Sequence, residues 1–224
     1  MNLAELLTRT RRLADDEVEG GGAELWPDEE LIENLNLAER EACIRARLIE
    51  DFSDEFASIE LTEDDRVFTL HASVISVISA KIDGRRDPLD PAPLEVLWTP
   101  QATSGWPMAY AIQGETNGTT GAKIVLDRVM PQDGELKMLV SRLPEEAMAD
   151  DADTPEIGLV HHDALPYWAL HLAFLKRDID AEDPARAEKY KAMFEARFGI
   201  RDNANVYRKQ RRHTAPRVRP GRMP

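Results

Sequence analysis

His161-His162-Asp163 is the one cluster in the 224 residues that invites a metal or catalytic reading. Neighbouring residues on a helix point about 100° apart, so the two imidazoles cannot share an ion without further ligands. The chain has no HExxH pattern and no second group of histidines and acids at ligand spacing. The cluster therefore reads as a helix N-terminus at which Asp163 and the imidazoles meet solvent or a neighbour. His71 and His171 each stand alone in apolar surroundings and read as structural. Gly20-Gly21-Gly22 lacks the following Lys-Ser/Thr that would hold a phosphate, and there is no GxSxG or GxGxxG. Ser73, Ser76 and Ser79 read as the surface pattern of a strand. In so acidic a chain a pair of carboxylates carries no information about acid–base chemistry. Trp26, Trp98, Trp106 and Trp168 are best taken as core or interface anchors. The expectation is a protein without catalysis, metal or cofactor.

The second stretch with chemical character is basic. Residues 201–224 hold eight Lys/Arg and one Asp, a net charge of +7, with three prolines. The whole chain carries −14, so the remainder carries −14 − 7 = −21. That acidity argues against general nucleic-acid binding by the body, because phosphate contacts need Lys and Arg. The segment YRKQRRHTAPRVRPGRMP could be a nucleic-acid arm or a peptide that docks on an acidic partner. Apolar residues make up 42% and charged residues 31%, as in an ordinary soluble globular protein. The single Cys43 excludes a disulfide framework and points to a reducing compartment. No apolar run approaches a membrane span, and the N-terminus lacks a signal-peptide core.

These features sit on a recognisable order of elements. Asn2–Ala14 predicts a short helix opened by an Asn that can cap free amides. Asp15–Leu25 is an acidic, glycine-rich loop. Trp26-Pro27-Asp28 starts a long helix reaching Phe52, with three early acids at its positive end and Leu31, Leu35, Ala38, Ala42 and Ile49 as its buried line. Its alternating Arg40, Arg45, Arg47 and Glu39, Glu41, Glu50 read as a solvated or subunit-facing surface. From about residue 59 the period becomes that of strands, over 66–72, 74–82, 108–113, 123–129 and 135–142, joined by Asp83-Gly84, Asn117-Gly118 and Pro131–Gly134 turns. Residues 94–103 suit either a short helix or a strand, and 144–155 form an acidic linker. Pro155–Arg177 predicts a helix with Leu165, Trp168, Ala169, Leu172 and Leu175 on one face. Pro184 then opens another, with Tyr190, Met193, Phe194 and Phe198 inward. The expected fold is α+β: a helical bundle of two N-terminal helices (1–58) and two C-terminal helices (151–200), a β-rich insert (59–150), and an extended basic tail (201–224).

Taken in order, these motifs resemble head-to-tail adaptor (connector, or neck) proteins of tailed bacteriophages. LAELLTRTRRLADD followed by WPDEELIENLNLAERE resembles their opening, although Pro27 stands where Ser or Thr is expected. PEIGLVHHDALPYWALHLAF and DPARAEKYKAMFEARF are similar to their C-terminal helices. GWPMAYAI, KIVLDRVMP and ELKMLVSRLP resemble the β-domain of longer members. The resemblance covers nearly the whole chain, and it is the order of the motifs rather than any one that carries it.

The resemblance implies a structural virion protein, made in the host cytoplasm. It implies a homo-oligomeric ring, a dodecamer, seated beneath the portal protein at the head-tail connector. The next neck or tail ring (stopper, tail terminator or nozzle) would follow, and DNA would pass through the channel without specific binding. Negative lumen walls would repel the phosphate backbone. The C-terminal tail of such adaptors reaches the portal, which assigns Tyr207, Arg208, Lys209, Arg211, Arg212, Arg217, Arg219 and Arg222 to docking. Arginine suits the role, since its planar fork meets carboxylates and carbonyls in fixed geometry. Two other readings stand beside this one: a stopper or tail-completion ring, and a small nucleic-acid-binding protein using its basic arm.

Overall fold

The computed structural model describes residues 1–17, 25–97, 104–114, 121–176 and 182–201. The fold is mixed α+β, with six α-helices and two four-stranded sheets among the described residues. The chain forms two compact units, one of residues 1–49 and 143–201, the other of residues 50–142.

In the helical unit, α1 (Leu3–Ala14) starts with a reciprocal cap. Asn2 Oδ1 accepts from the Glu5 amide at 2.9 Å, and Glu5 Oε2 accepts from the Asn2 amide at 3.1 Å. α2 (Asp28–Ala46) follows Pro27 without any side-chain cap, so its first turn relies on Asp28, Glu29 and Glu30 at the positive end of the helix dipole. It stops at Ala46, short of the expected Phe52. Arg47 turns left-handed at φ 51° and donates its N–H to Cys43 O, after which Ile49–Asp51 form strand β1. Local propensity would let RARLIEDF continue as helix; the hydrogen bonding of β1 to a long strand overrides it.

The expected helix over 155–177 is also divided. Leu159–Ala164 is a 3-10 helix, and α5 (Leu165–Phe174) follows, with Pro166 in its first turn where a missing N–H costs nothing. α5 shows no single apolar stripe. Leu165, Pro166, Ala169, Leu170, His171, Ala173 and Phe174 are all buried, while Leu175 is exposed. The reason is position: α5 packs against α1, α2 and α6 (Pro184–Phe198), and a helix covered on several sides needs apolar residues around most of its girth. Asp183 caps α6 by accepting from the Ala185 and Arg186 amides. Tyr190, Phe194 and Phe198 point inward from α6, and Met193 is half-buried.

The β-rich unit has β8 (Gly134–Arg142) as the spine of its first sheet. β4 (Val74–Ile82) and β2 (Ser58–Leu61) run antiparallel to it, and β1 also bonds to it. The second sheet has the order β3 (Val67–Thr69), β7 (Lys123–Leu126), β6 (Ala109–Gln113), β5 (Asp90–Pro91), antiparallel except for the parallel β5–β6 pair. Two short helices, α3 (Asp54–Ala57) and α4 (Leu94–Leu97), complete it; α4 resolves the ambiguity at residue 94 towards helix. Leu136, Met138 and Val140 of β8 alternate into a core with Leu61, Ile82, Ile124, Leu126 and Met130. Register shifts in β4 between Val74 and Ser76 and between Val77 and Ser79 break the alternation, which is why Ser76 is buried rather than on a surface pattern. Gly121 lies left-handed at φ 67°, and a Cβ there would meet Leu70 O at 2.7 Å, so only glycine fits.

Candidate docking site at the end of the helical unit

The eight docking residues expected from the sequence, Tyr207 to Arg222, lie outside the described residues. What the structure describes is the root from which that tail departs. Gly199 ends α6 with φ 81°, and Ile200 and Arg201 follow it.

The root is tied down by Arg45 of α2. Its side chain is only 3% exposed, with the guanidinium carbon 4.6 Å from the Trp168 ring centre and 5.2 Å from that of Phe194. Its Nε donates to Glu41 Oε1 at 2.8 Å, one helical turn back, and one terminal nitrogen donates to Gly199 O at 3.0 Å. Glu195 completes the surroundings at 3.5 Å, and the other Glu41 oxygen pairs with Arg201 at 3.3 Å. A buried cation between two rings, with its donors aimed at carboxylates and a backbone carbonyl, is a fixed joint. It joins α2, α5 and α6 and fixes the first step of the tail. These charges were expected on a solvated or subunit-facing surface with local ion pairs. Glu39 and Glu41 are instead buried, because α2 turns that side towards the returning chain and α6.

Glu39 holds the returning chain. Its Oε1 accepts from the Glu156 amide at 2.6 Å and the Ile157 amide at 3.2 Å. Burial pushes its carboxyl upward in pKa, and the two amides only partly offset this. One turn earlier, Asn36 bonds both the N–H and the C=O of Met148, at 2.8 and 2.9 Å. Of the cluster expected to meet solvent or a neighbour, His162 is buried against a neighbour: its Nε2 lies 2.9 Å from Ile157 O and donates to it. His161 packs its ring 5.6 Å from Phe198, and burial lowers its pKa, with the Arg197 charge acting in the same direction. His171 is structural, its Nδ1 donating to Ala187 O at 3.0 Å; burial pulls its pKa below 6.5. His71 is exposed, next to Ser73 and edge-on to Phe56. Among the described residues no three His, Cys, Asp or Glu side chains gather as metal ligands.

The structure thus brings together residues that the sequence reading kept apart: Glu41 and Arg45, taken as surface, with Trp168 and Phe194, taken as core. The available signal was the Glu-to-Arg spacing of four on α2. Nothing in the sequence said which aromatic rings would receive the cation.

Such polar side chains fix chain segments to one another. The sequence matches the SU10 adaptor protein family over residues 1–221. With nearly the whole chain covered, the protein belongs to that family of phage structural adaptors. No match was found among curated protein sequences. Membership makes it a virion component that associates with other phage capsid or tail proteins. No described helix is long and apolar enough to cross a membrane.

Proposed function

We propose that the chain is the subunit of a head-to-tail adaptor ring that binds beneath the portal and continues the DNA channel towards the tail. In this reading the helices form the bundle that builds the ring, and the basic tail is the portal hook. Tyr207, Arg208, Lys209, Arg211, Arg212, Arg217, Arg219 and Arg222 make the contact. Twelve copies would match the ring read from the sequence resemblance. The observation that carries the reading is the division of charge: a +7 segment leaves an otherwise −21 chain at a root fastened by Arg45 and Glu41. The acidic remainder disfavours phosphate binding, so DNA would slide past rather than adhere.

The test is binding of the full chain to isolated cognate portal rings, followed by sedimentation. The natural sequence should co-sediment with the rings and release as salt rises. A full-length variant with the seven tail Arg and Lys changed to Glu should lose binding. Absence of binding by the natural sequence overturns the portal assignment. Equal binding by both overturns the tail's role alone. Tight, steeply salt-dependent binding to duplex DNA would favour the nucleic-acid arm instead.

A further inference from the structure

The tail root carries an exposed apolar corner. Leu159, Val160 and Ile200 are 71%, 68% and 77% exposed, the most exposed large apolar side chains among the described residues of the helical unit. The first two open the 3-10 helix, and the third follows the end of α6. These segments meet, since Arg197 donates to Val160 O and the His161 ring packs on Phe198. Arg197 also stands 3.9 Å from Asp163.

Three features make this corner a binding surface of defined chemistry. The apolar side chains lie beside Arg197 and Arg201, which stay half exposed although each faces one carboxylate, Asp163 at 3.9 Å and Glu41 at 3.3 Å, and Arg201 opens the +7 segment of the sequence. The backbone carbonyls of Val160 and Gly199 already accept from Arg197 and Arg45, so covering the corner leaves neither of them unsatisfied. The Arg45 joint holds the root in place before a partner arrives, which lowers the ordering cost of binding.

We propose that Leu159, Val160 and Ile200 form an apolar knob that enters a carboxylate-rimmed recess on the same partner ring that receives the basic tail. The proposal rests on the adaptor reading above. Cationic neighbours select the acidic rim, and continuity with the tail places both contacts on one partner. The knob supplies the desolvated centre of the contact, and the arginines supply its polar surround.

The experiment compares three full-length chains on immobilised cognate portal rings: the natural sequence, Leu159→Ser/Val160→Ser/Ile200→Ser, and the tail Glu variant. The knob variant should bind about 10- to 100-fold more weakly, chiefly through faster dissociation, with the salt dependence of the natural sequence retained. The tail variant should lose binding altogether at low salt as well as high. Ile200→Ser alone, placed beyond the last helix, should weaken binding about 3- to 10-fold, which keeps the test independent of any effect on the 3-10 helix. Knob variants that bind like the natural sequence overturn the knob and leave the tail reading standing. If the natural sequence does not bind, both fall. If the knob variant binds portal rings normally but self-associates less in size-exclusion light scattering, the corner belongs to a subunit–subunit contact and the proposal is overturned.

Discussion

The two units solve the problem of holding irregular chain in different ways. In the β-rich unit the backbone carries the order: β8 exchanges hydrogen bonds with β1, β2 and β4 over a dry core, and few polar side chains are buried. Among its described residues one cation is buried, Arg142, which pairs with Asp51 at 2.6 Å and lies over the Phe56 ring. In the helical unit the helices use most of their backbone groups internally; the first amides of α1 are spare, and Leu3 and Ala4 donate to Asp153 O at 2.8 Å and Asp151 O at 3.3 Å in the returning chain. The rest of the returning chain at 148–157 and the tail root are fixed by side chains: Asn36, Glu39, His162 and Arg45. Backbone polar groups must be satisfied in either unit; only the donors and acceptors differ. The lesson is that a buried charge in this chain marks where segments are fastened to one another, not necessarily where chemistry occurs.

The sharpest way to break this comparison is Arg45→Met. It leaves the buried Glu41 carboxylate with only the half-exposed Arg201 at 3.3 Å and should destabilise the helical unit by about 3 kcal/mol, the lower end for breaking a buried pair. Amide exchange should show lost protection in α5 and α6, with Ile124 and Val140 unchanged. Lost protection at those strand residues as well would mean that the two units do not fail separately. The counterpart in the β-rich unit is Gly121→Ala, which forces a Cβ against Leu70 O in a left-handed residue. It should cost about 2–3 kcal/mol, read from urea unfolding, with the loss confined to the β-rich amides.

Acid gives the smallest and most selective effect. Burial keeps His171 below 6.5, so its contribution is present above about pH 6.5 and is lost as pH falls through its folded value. Glu39 opposes this: its raised pKa means that the charged form costs stability at neutral pH, a cost relieved as pH falls towards 4.5. In the β-rich unit, burial works against ionised Asp51, but the Ser53 amide and Arg142 outweigh it and hold the carboxyl at about 2. Its contribution is intact above pH 3.8 and disappears as pH falls through 2. Acidification from about pH 7 to 5 should therefore move the helical unit first. His171→Gln should flatten that response by about 1 kcal/mol or less, measured as the urea midpoint at each pH. A His171 ring that titrates at or above 6.5 by NMR would contradict its burial.

Much of the fold was legible because period and punctuation are local. Asn2 announced a cap, Asp183-Pro184 a helix start, and the alternation around Leu136, Met138 and Val140 a strand that exists as expected. What could not be read depended on distant partners. The end of α2 at Ala46 follows from β1 meeting β8, and the burial of α5 follows from three neighbours rather than from its own pattern. β1 itself is three residues long, too short to show a period. For the candidate site, the basic character of the tail was plain in the sequence, whereas the joint at its root was not. Glu39, Glu41 and Arg45 have the composition of a solvated face; the rings of Trp168 and Phe194 make Arg45 interior, and the returning chain at Glu156 and Ile157 covers Glu39.

The pairing of β1 with β8 has a further consequence. These strands are the entry and exit of the β-rich unit, and their hydrogen bonds hold its two ends side by side. To the helices, the stretch from residue 50 to residue 142 is then a loop already closed rather than a long tether to be gathered in. Loop-closure entropy grows with the length of chain that must still be brought together, so a folded insert removes most of that cost before α2 finds α5. Size differences within the insert would for the same reason be nearly invisible to the helical core, provided that its first and last strands stay zipped.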